Sequence, residues 1–588
     1  MERLSTLLAH GEPAGGASAA ELIPATIVAA VMLAGLAAFG FAHRAGKTRV
    51  LVRVGAFAER GLGMPPWAAL PAAITGGALL IAVFGFYADV ASHIDNGRDP
   101  GPFANPFHYF IIAGLGGIAL AGFVALLLGS EETSTSVRIR DGWHAPIGGL
   151  LLLVCGGIAV VGFPLDDVWH RLFGQDVTLW SPTHMQMVGG ASVSTLALWV
   201  LLVEGRRAST GAHEPIVSPS LHEGIAAGAL LVGLSAFQAE FDYSVPQFRL
   251  LYHPVLLMLS AGIALVAARI RLGRGGALKA VGLFLILRGL LSVLVGPVLD
   301  HTTLHFPLYL AEALAVEAVA LRFPIDRQVS FGAVCGVAIG TFGLGSEWAW
   351  SHAWMTMQWP AALIPEGVVF GLVAAVAGGS LGGFIGRSLV DPPTRRERVP
   401  VVAGVATAVV VLFVLVYPFP TQRITGASAT VALEDVDGAG GRNVNATITL
   451  DPADIGEDAE WFNVTAWQGG GSIIDEPEEL SPGRYRTTTP IPVHDEWKAL
   501  IRLHKGAAID AVPIFLPEDP AIPAPEVPAE ERFTRSFVLD KSILLREAKE
   551  VGTPLTYSAS AVMVVIAAVW ALLLGWGMFR LQSSRRPT

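Results

Sequence analysis

The sequence predicts an all-α polytopic membrane bundle, built from repeated helical hairpins, with a β-sandwich inserted outside the membrane. Two observations carry this. Hydrophobic residues make up 52% of the chain and charged residues 15%, and the apolar residues gather in runs of roughly 20, the length that crosses a bilayer. Over 421–555 the composition turns polar, with short alternating segments between Gly, Pro and Asp turns.

The apolar runs lie at 22–42, 66–88, 108–128, 145–164, 184–203, 222–239, 250–268, 277–299, 306–321, 329–346, 360–386, 400–417 and 557–579, which predicts 13 helices. The lead before the first run lacks the basic start of a secretory signal, so that run reads as a retained anchor. Loops holding Arg44 to Arg53, Arg138 to Arg140, Arg206 and Arg207, Arg269 to Arg274, Arg322 to Arg327, and Arg387 to Arg398 alternate with loops poor in basic residues. The positive-inside rule makes these loops cytoplasmic, with the N-terminus outside and the tail Arg580 to Arg586 inside, in the plasma membrane.

The other set of loops, placed outside, carries the chemistry. Asp166 and His170 close the fourth run one turn apart on one helical face, and Pro182-Thr183-His184 opens the fifth. Asp89 and His93 close the second run, and Asn105-Pro106-Phe107-His108 opens the third. Asp89 to Asp166 and His93 to His170 are both 77 positions, and His108 to His184 is 76, an internal repeat that keeps its polar residues. A third hairpin has Glu240 and Asp242 before its loop and His253 after it. A fourth has Asp300, His301 and His305, and a fifth has Glu347, His352 and a Trp-rich turn. Eight of the 15 histidines fall in these five turns.

Carboxylate with imidazole is a ligand set for copper, zinc or non-haem iron, and the affinity order among divalent ions favours copper. Met185 and Met187 beside His184, and Met355 and Met357 beside His352, add thioethers that lean towards copper(I). The expected ligands are Asp89, His93, His108, Asp166, His170 and His184, with Met185, Met187, His301, His305 and His352 as transfer or secondary positions. Polar helix ends among Trp169, Trp180, Trp348, Trp350 and Trp354 are equally the pattern of an aromatic interface belt, and methionines also fill packing gaps. Arg288, in the middle of the eighth run, needs a partner. Glu312 and Glu317 are the nearby candidates, for a structural ion pair or for a proton or ion path.

The segments Ala429–Leu433, Asn445–Leu450, Trp461–Trp467 and Trp497–Leu503 read as strands of a small sandwich over 421–516, outside the membrane. A Pro-rich linker and polar segment follow over 517–556, and 557–588 holds the last helix and tail, the transmembrane part being 1–420. Residues 421–555 carry 23 acidic against 12 basic side chains, more than the whole chain's net charge of −10. That surface suits cations or a cationic, metal-bearing partner and argues against nucleic acid. Cys155 and Cys335 lie mid-helix without a second thiol at metal spacing, which excludes a disulfide framework.

Asp89 or Asp166, a His four later and a second His across a short loop resemble the metal site in the membrane subunits of copper-containing membrane monooxygenases. That resemblance implies one ion held by two successive helices. The outer segment, with Gly483-Arg484-Tyr485 and Trp497-Lys498-Ala499, resembles the Ig-like domains of the YtkA and FixH type that accompany copper-handling membrane proteins. The turn Trp348-Ala349-Trp350-Ser351-His352 is similar to Trp-rich segments of haem-handling proteins. The expected function is binding and transfer of a transition metal, most plainly copper, at the outer face of the bilayer. The alternatives are a metal-dependent membrane oxidase acting on a small apolar substrate, and a non-metal transporter or scaffold that uses Arg288 and the intramembrane Glu residues.

Overall fold

A computed structural model of the chain describes residues 16–583 except 100, 175–177, 211–215, 217, 391–400, 438–439, 545, 547–548 and 550. Asp176, the basic residues Arg395, Arg396 and Arg398, and the tail beyond 583 lie outside the described residues. Among the described residues, eleven helices are long and apolar enough to cross a membrane. They are α1 (Ala19–Arg44), α3 (Pro66–Asn96), α4 (Pro106–Leu128), α5 (Ile147–Phe173), α6 (Pro182–Arg207), α7 (Pro219–Asp242), α8 (Tyr252–Leu272), α9 (Gly276–Val298), α11 (Gln328–Trp354), α12 (Ala361–Leu389) and α15 (Thr553–Gln582).

Two expected spans are short. The run at 306–321 forms only the ten-residue α10 (Leu310–Val319), because 302–309 has no regular structure and Tyr309 adopts a left-handed φ of 54°. The run at 400–417 forms the 16-residue α13 (Val401–Val416). The basic segment after α1 contains an additional helix, α2 (Val50–Leu62), which buries only Leu51, Gly55 and Ala58. Its apolar positions recur at helical spacing within a charged loop, so no continuous run reveals it.

α6 and α8 are the most enclosed of these helices, with most of their residues buried. The outer surface is apolar, with Ile286, Phe342 and Val565 all more than half exposed, the reverse of a water-facing helix. Where helices meet closely, small residues make the room: a Cβ on Gly262 would sit 2.5 Å from the Gly379 nitrogen, so α8 and α12 touch backbone to backbone.

A small hairpin, β1 (Val137–Arg140) with β2 (Trp143–Ala145), joins α4 to α5. The polar region between α13 and α15 is two packed sheets. One has the order β13-β11-β10-β5-β6, from β5 (Trp461–Trp467), β6 (Ser472–Asp475), β10 (Lys498–Lys505), β11 (Ala508–Phe515) and β13 (Val538–Leu539). The other runs β12-β3-β4-β8-β7, from β3 (Ser428–Val436), β4 (Asn443–Asp451), β7 (Glu478–Ser481), β8 (Arg484–Arg486) and β12 (Arg532–Ser536), with β9 (Ile491–Pro492) also on β4. Val431 and Ile448 from one sheet share a core with Val464 and Ile501 from the other, as alternation along each strand requires. The stretch read as a Pro-rich linker and polar segment, 517–556, supplies β12 on β3 and β13 on β11 from its polar part, and so completes both sheets before the short α14 (Asp540–Leu544).

This β-rich region sits on the helix ends that carry the Asp/His turns. The Gln468 and Gly470 N–H groups donate to the carbonyls of Ile94 (3.0 Å) and Asp95 (2.8 Å) at the end of α3. Arg502 donates to the Pro246 carbonyl at 2.5 Å, Arg249 to the Gly506 carbonyl at 2.8 Å, and Arg98 holds Asp519 at 3.0 and 3.1 Å.

Candidate functional site

α3 stops at Gly97, whose φ of 79° a β-carbon would strain and whose N–H returns to the His93 carbonyl. α4 starts at Asn105, whose side chain accepts the Phe107 N–H at 2.9 Å, with Pro106 in the first turn. These two ends bring four side chains together. His93 Nε2 lies 3.5 Å from Asp89 Oδ1 and 3.4 Å from Asp99 Oδ2. His108 Nε2 lies 3.1 Å from Asp89 Oδ1 and 3.8 Å from Asp99 Oδ2. The other ring nitrogens face carbonyls, His93 Nδ1 that of Gly97 (2.9 Å) and His108 Nδ1 that of Pro102 (2.7 Å). A carbonyl only accepts, so each Nδ1 carries hydrogen and Nε2 is the ring atom turned to the cluster, where a neutral ring would offer its lone pair.

The second hairpin repeats the construction. α5 ends at Gly174, φ 84°, whose N–H returns to the His170 carbonyl, and α6 begins with Ser181 capping and Pro182 in the first turn. His170 Nε2 and His184 Nε2 each lie 3.6 Å from the Asp166 carboxylate, and His184 Nδ1 meets the Thr178 carbonyl at 2.8 Å. His170 Nε2 is buried without a hydrogen-bond partner. Each carboxylate is steadied from the following helix, Asp89 by Asn105 Nδ2 at 2.7 Å and Asp166 by Thr183 Oγ1 at 2.5 Å.

A four-coordinate ion with bonds of about 2.1 Å needs donors about 3.4 Å apart. The first cluster spans 3.1–3.8 Å and the second gives 3.6 Å twice. In both, the donor atoms lie within 4.8 Å of one another. The set is imidazole nitrogen and carboxylate oxygen, which suits zinc, copper or iron.

Both clusters open on one cavity of about 210 Å³. Its membrane-side wall includes Phe86, Val90, Ile111 and Phe163, and its far wall comes from the β-rich region, through Thr465, Trp467, Gln468, Lys498 and Arg502. Glu240 also faces it, held by Thr178 Oγ1 at 2.8 Å and the Leu179 N–H at 3.0 Å.

The remaining expected site residues disperse. Met187 lines the cavity, but Met355 and Met357 are buried in packing, and Met185 is not among the lining residues. The thioether argument for copper(I) therefore reduces to one sulfur. His301 pairs with Asp95 at 2.9 Å, His305 packs on Trp354, and the exposed His352 lies over Trp348 with its Nδ1 on that residue's carbonyl. Arg288 pairs with Asp242, both fully buried, rather than with the expected Glu312 or Glu317. Glu317 pairs with Arg269 at 2.8 Å and receives the first N–H groups of α9 instead. The intervening irregular stretch before α10 breaks the adjoining-helix geometry that had made Glu312 a candidate.

Sequence reasoning missed Asp99, the fourth donor of the first cluster, which lies in the loop two residues past the cap glycine. It also missed Asn105 and Thr183 as carboxylate supports, although both stand beside the Pro that signals each helix start. No family model matches the chain, and neither a curated protein nor a solved structure matches it.

Proposed function

We propose that this is a multi-pass plasma-membrane protein, N-terminus outside, that binds and transfers a transition metal ion at its extracytoplasmic face. Copper is the first candidate and zinc or iron the alternatives. The observation that carries the reading is that two hairpins 77 residues apart independently aim imidazole Nε2 atoms at a carboxylate with each loop-following histidine fixed through Nδ1 to a carbonyl. Apolar helices and basic loops on the opposite side support the membrane placement and orientation. The first cluster would hold its ion with Asp89, His93, Asp99 and His108, and the second with Asp166, His170 and His184. The acidic β-rich region over both clusters suits delivery by a cationic or metal-bearing partner.

Imidazolium–carboxylate pairs would show the same contacts without metal, so the test is elemental analysis of the purified protein beside His93→Ala, His170→Ala. Bound metal that disappears in the double variant supports the reading. No metal in either after reconstitution overturns it.

One observation favours a second reading. A cavity with an apolar wall beside both clusters is more than a carrier needs, and fits a metal-dependent oxidase acting on a small apolar substrate. Retention of a small apolar molecule by the metal-loaded protein, lost in Phe163→Trp, would separate catalysis from carriage.

A further inference from the structure

A second polar centre lies inside the bundle, away from the Asp/His clusters. Chain that forms no regular structure within packed helices must find other partners for its N–H groups. Leading into α10, the Leu308 and Tyr309 N–H groups donate to the Glu347 carboxylate at 3.0 and 2.6 Å. In the first turn of α10, Glu312 is completely buried and neither of its carboxylate oxygens has a hydrogen-bond partner among the described residues. Room for it comes from Gly343, where a Cβ would lie 2.6 Å from Glu312 Cγ. Gly343 closes a π-helical turn, Ile339–Gly343, and Glu347 follows one turn later on the same face of α11. Glu312 packs on Gly343 and Glu347 lies one turn further along the same face, which brings the two buried carboxylates within range of each other's charge. Neither is paired with a basic side chain among the described residues, since Arg288, the nearby cation, is taken by Asp242.

Two buried carboxylates without a cation cannot both stay ionised; such pairs keep a proton between them. The surroundings are arranged for it. The Tyr309 phenol senses the charge of both carboxylates, and its oxygen accepts from Gln238 Nε2 at 2.8 Å. Gln238 Oε1 is buried with no partner, and Asp242, four residues along α7, also has one unpartnered oxygen. Arg288 Nε and Nη1 are unpartnered donors on the Asp242 side, but no donor meets either Glu312 oxygen, which is the condition a bound proton relieves.

We infer that Glu312 and Glu347 form a proton-binding carboxylate pair inside the bundle, next to Tyr309 and its Gln238 partner. The inference is independent of the metal reading. The test is the infrared carbonyl stretch of protonated carboxyl groups in the full-length protein at neutral pH, recorded in water and in heavy water. The wild type should show a solvent-isotope-sensitive band that is lost in Glu312→Gln and in Glu347→Gln and kept in Glu312→Asp, while circular dichroism shows the helices intact. A band unchanged in both Gln variants, or absent from the wild type, would overturn the pair. Loss of the band on adding sodium at constant pH would overturn it too, by showing that the site takes a metal cation instead.

Discussion

The first and second Asp/His hairpins share their construction down to single hydrogen bonds, while the third has diverged. His108 Nδ1 meets the Pro102 carbonyl, and His184 Nδ1 meets that of Thr178, each six residues back in its own loop. Gly97 and Gly174 close their helices with a similar positive φ, 79° and 84°, and the same return bond to a histidine carbonyl. In the third hairpin Asp242 keeps the spacing of the carboxylate, 76 residues after Asp166, but is fully buried against Arg288. His253 there stacks on Phe241 and accepts from Trp359 Nε1 at 3.1 Å. A repeated sequence thus holds two Asp/His clusters open to the cavity and one closed Asp242–Arg288 ion pair away from it.

The comparison breaks most readily at the ligands themselves. Asp89→Asn keeps an oxygen for Asn105 to bind but removes the charge, so it should abolish metal at the first cluster and leave the second loaded, halving the metal per chain. Elemental analysis beside Asp166→Asn checks this. Loss of all metal in either variant would show one shared site instead of two. The third hairpin predicts the opposite kind of effect. Arg288→Met strands the Asp242 charge and should cost about 3–5 kcal/mol of stability, read from unfolding in detergent, with the metal content of the folded fraction unchanged. Restoring neutrality with Asp242→Leu should recover most of that loss.

A finer comparison lies in the supports. Asn105→Ala and Thr183→Ala each remove a hydrogen bond to a cluster carboxylate, and losing such a support to a metal-holding group weakens metal affinity about 10- to 100-fold. Asn105 also holds Asp99 at 3.1 Å, so its loss should be the larger. Competition titration with a chelator measures both, and equal losses would mean that Asp99 is not a ligand.

How much of this was legible follows from what each residue reports in one dimension. The apolar runs reveal themselves because a membrane-length helix has to be apolar along its whole length, and the strands at Ala429–Leu433 and Trp461–Trp467 show by alternation. The cluster pairs Asp89/His93 and Asp166/His170 are one helical turn apart, which sequence spacing encodes directly. Asp99 sits in a loop, where spacing says nothing about direction, and only the Gly97 turn brings it back over His93. Arg288 and Asp242 lie 46 residues apart on helices that are not neighbours in the chain, so their pairing depends on the tertiary path. The strands β12 and β13 were hidden because Pro-rich sequence before them reads as linker, while strands of two to five residues carry too short an alternation to register.

The smallest effect concerns how the first hairpin is fastened to the β-rich region. Arg98, next to the cap glycine, grips Asp519 through two hydrogen bonds. Partial burial alone would raise the Asp519 carboxyl, but the hydrogen bonds and charge of Arg98 outweigh it and hold the group below the usual carboxylate range. A carboxylate lowered in the folded state contributes stability above its unfolded pKa, about 3.9, and that contribution is lost as pH falls through the folded value. The pair is partly exposed, so it contributes about 1 kcal/mol at most. Acid below about pH 4, or Asp519→Asn at neutral pH, should therefore loosen this contact by a few-fold without unfolding the sheets. The report comes from two amides, Gln468 and Gly470, whose N–H groups bind the Ile94 and Asp95 carbonyls just before the loop. Their hydrogen exchange should quicken several-fold in Asp519→Asn while metal at the second cluster is retained. Exchange that stays as slow as in the wild type would mean that the remaining bonds, chiefly Arg502 to Pro246, hold the wall of the cavity in place without Arg98.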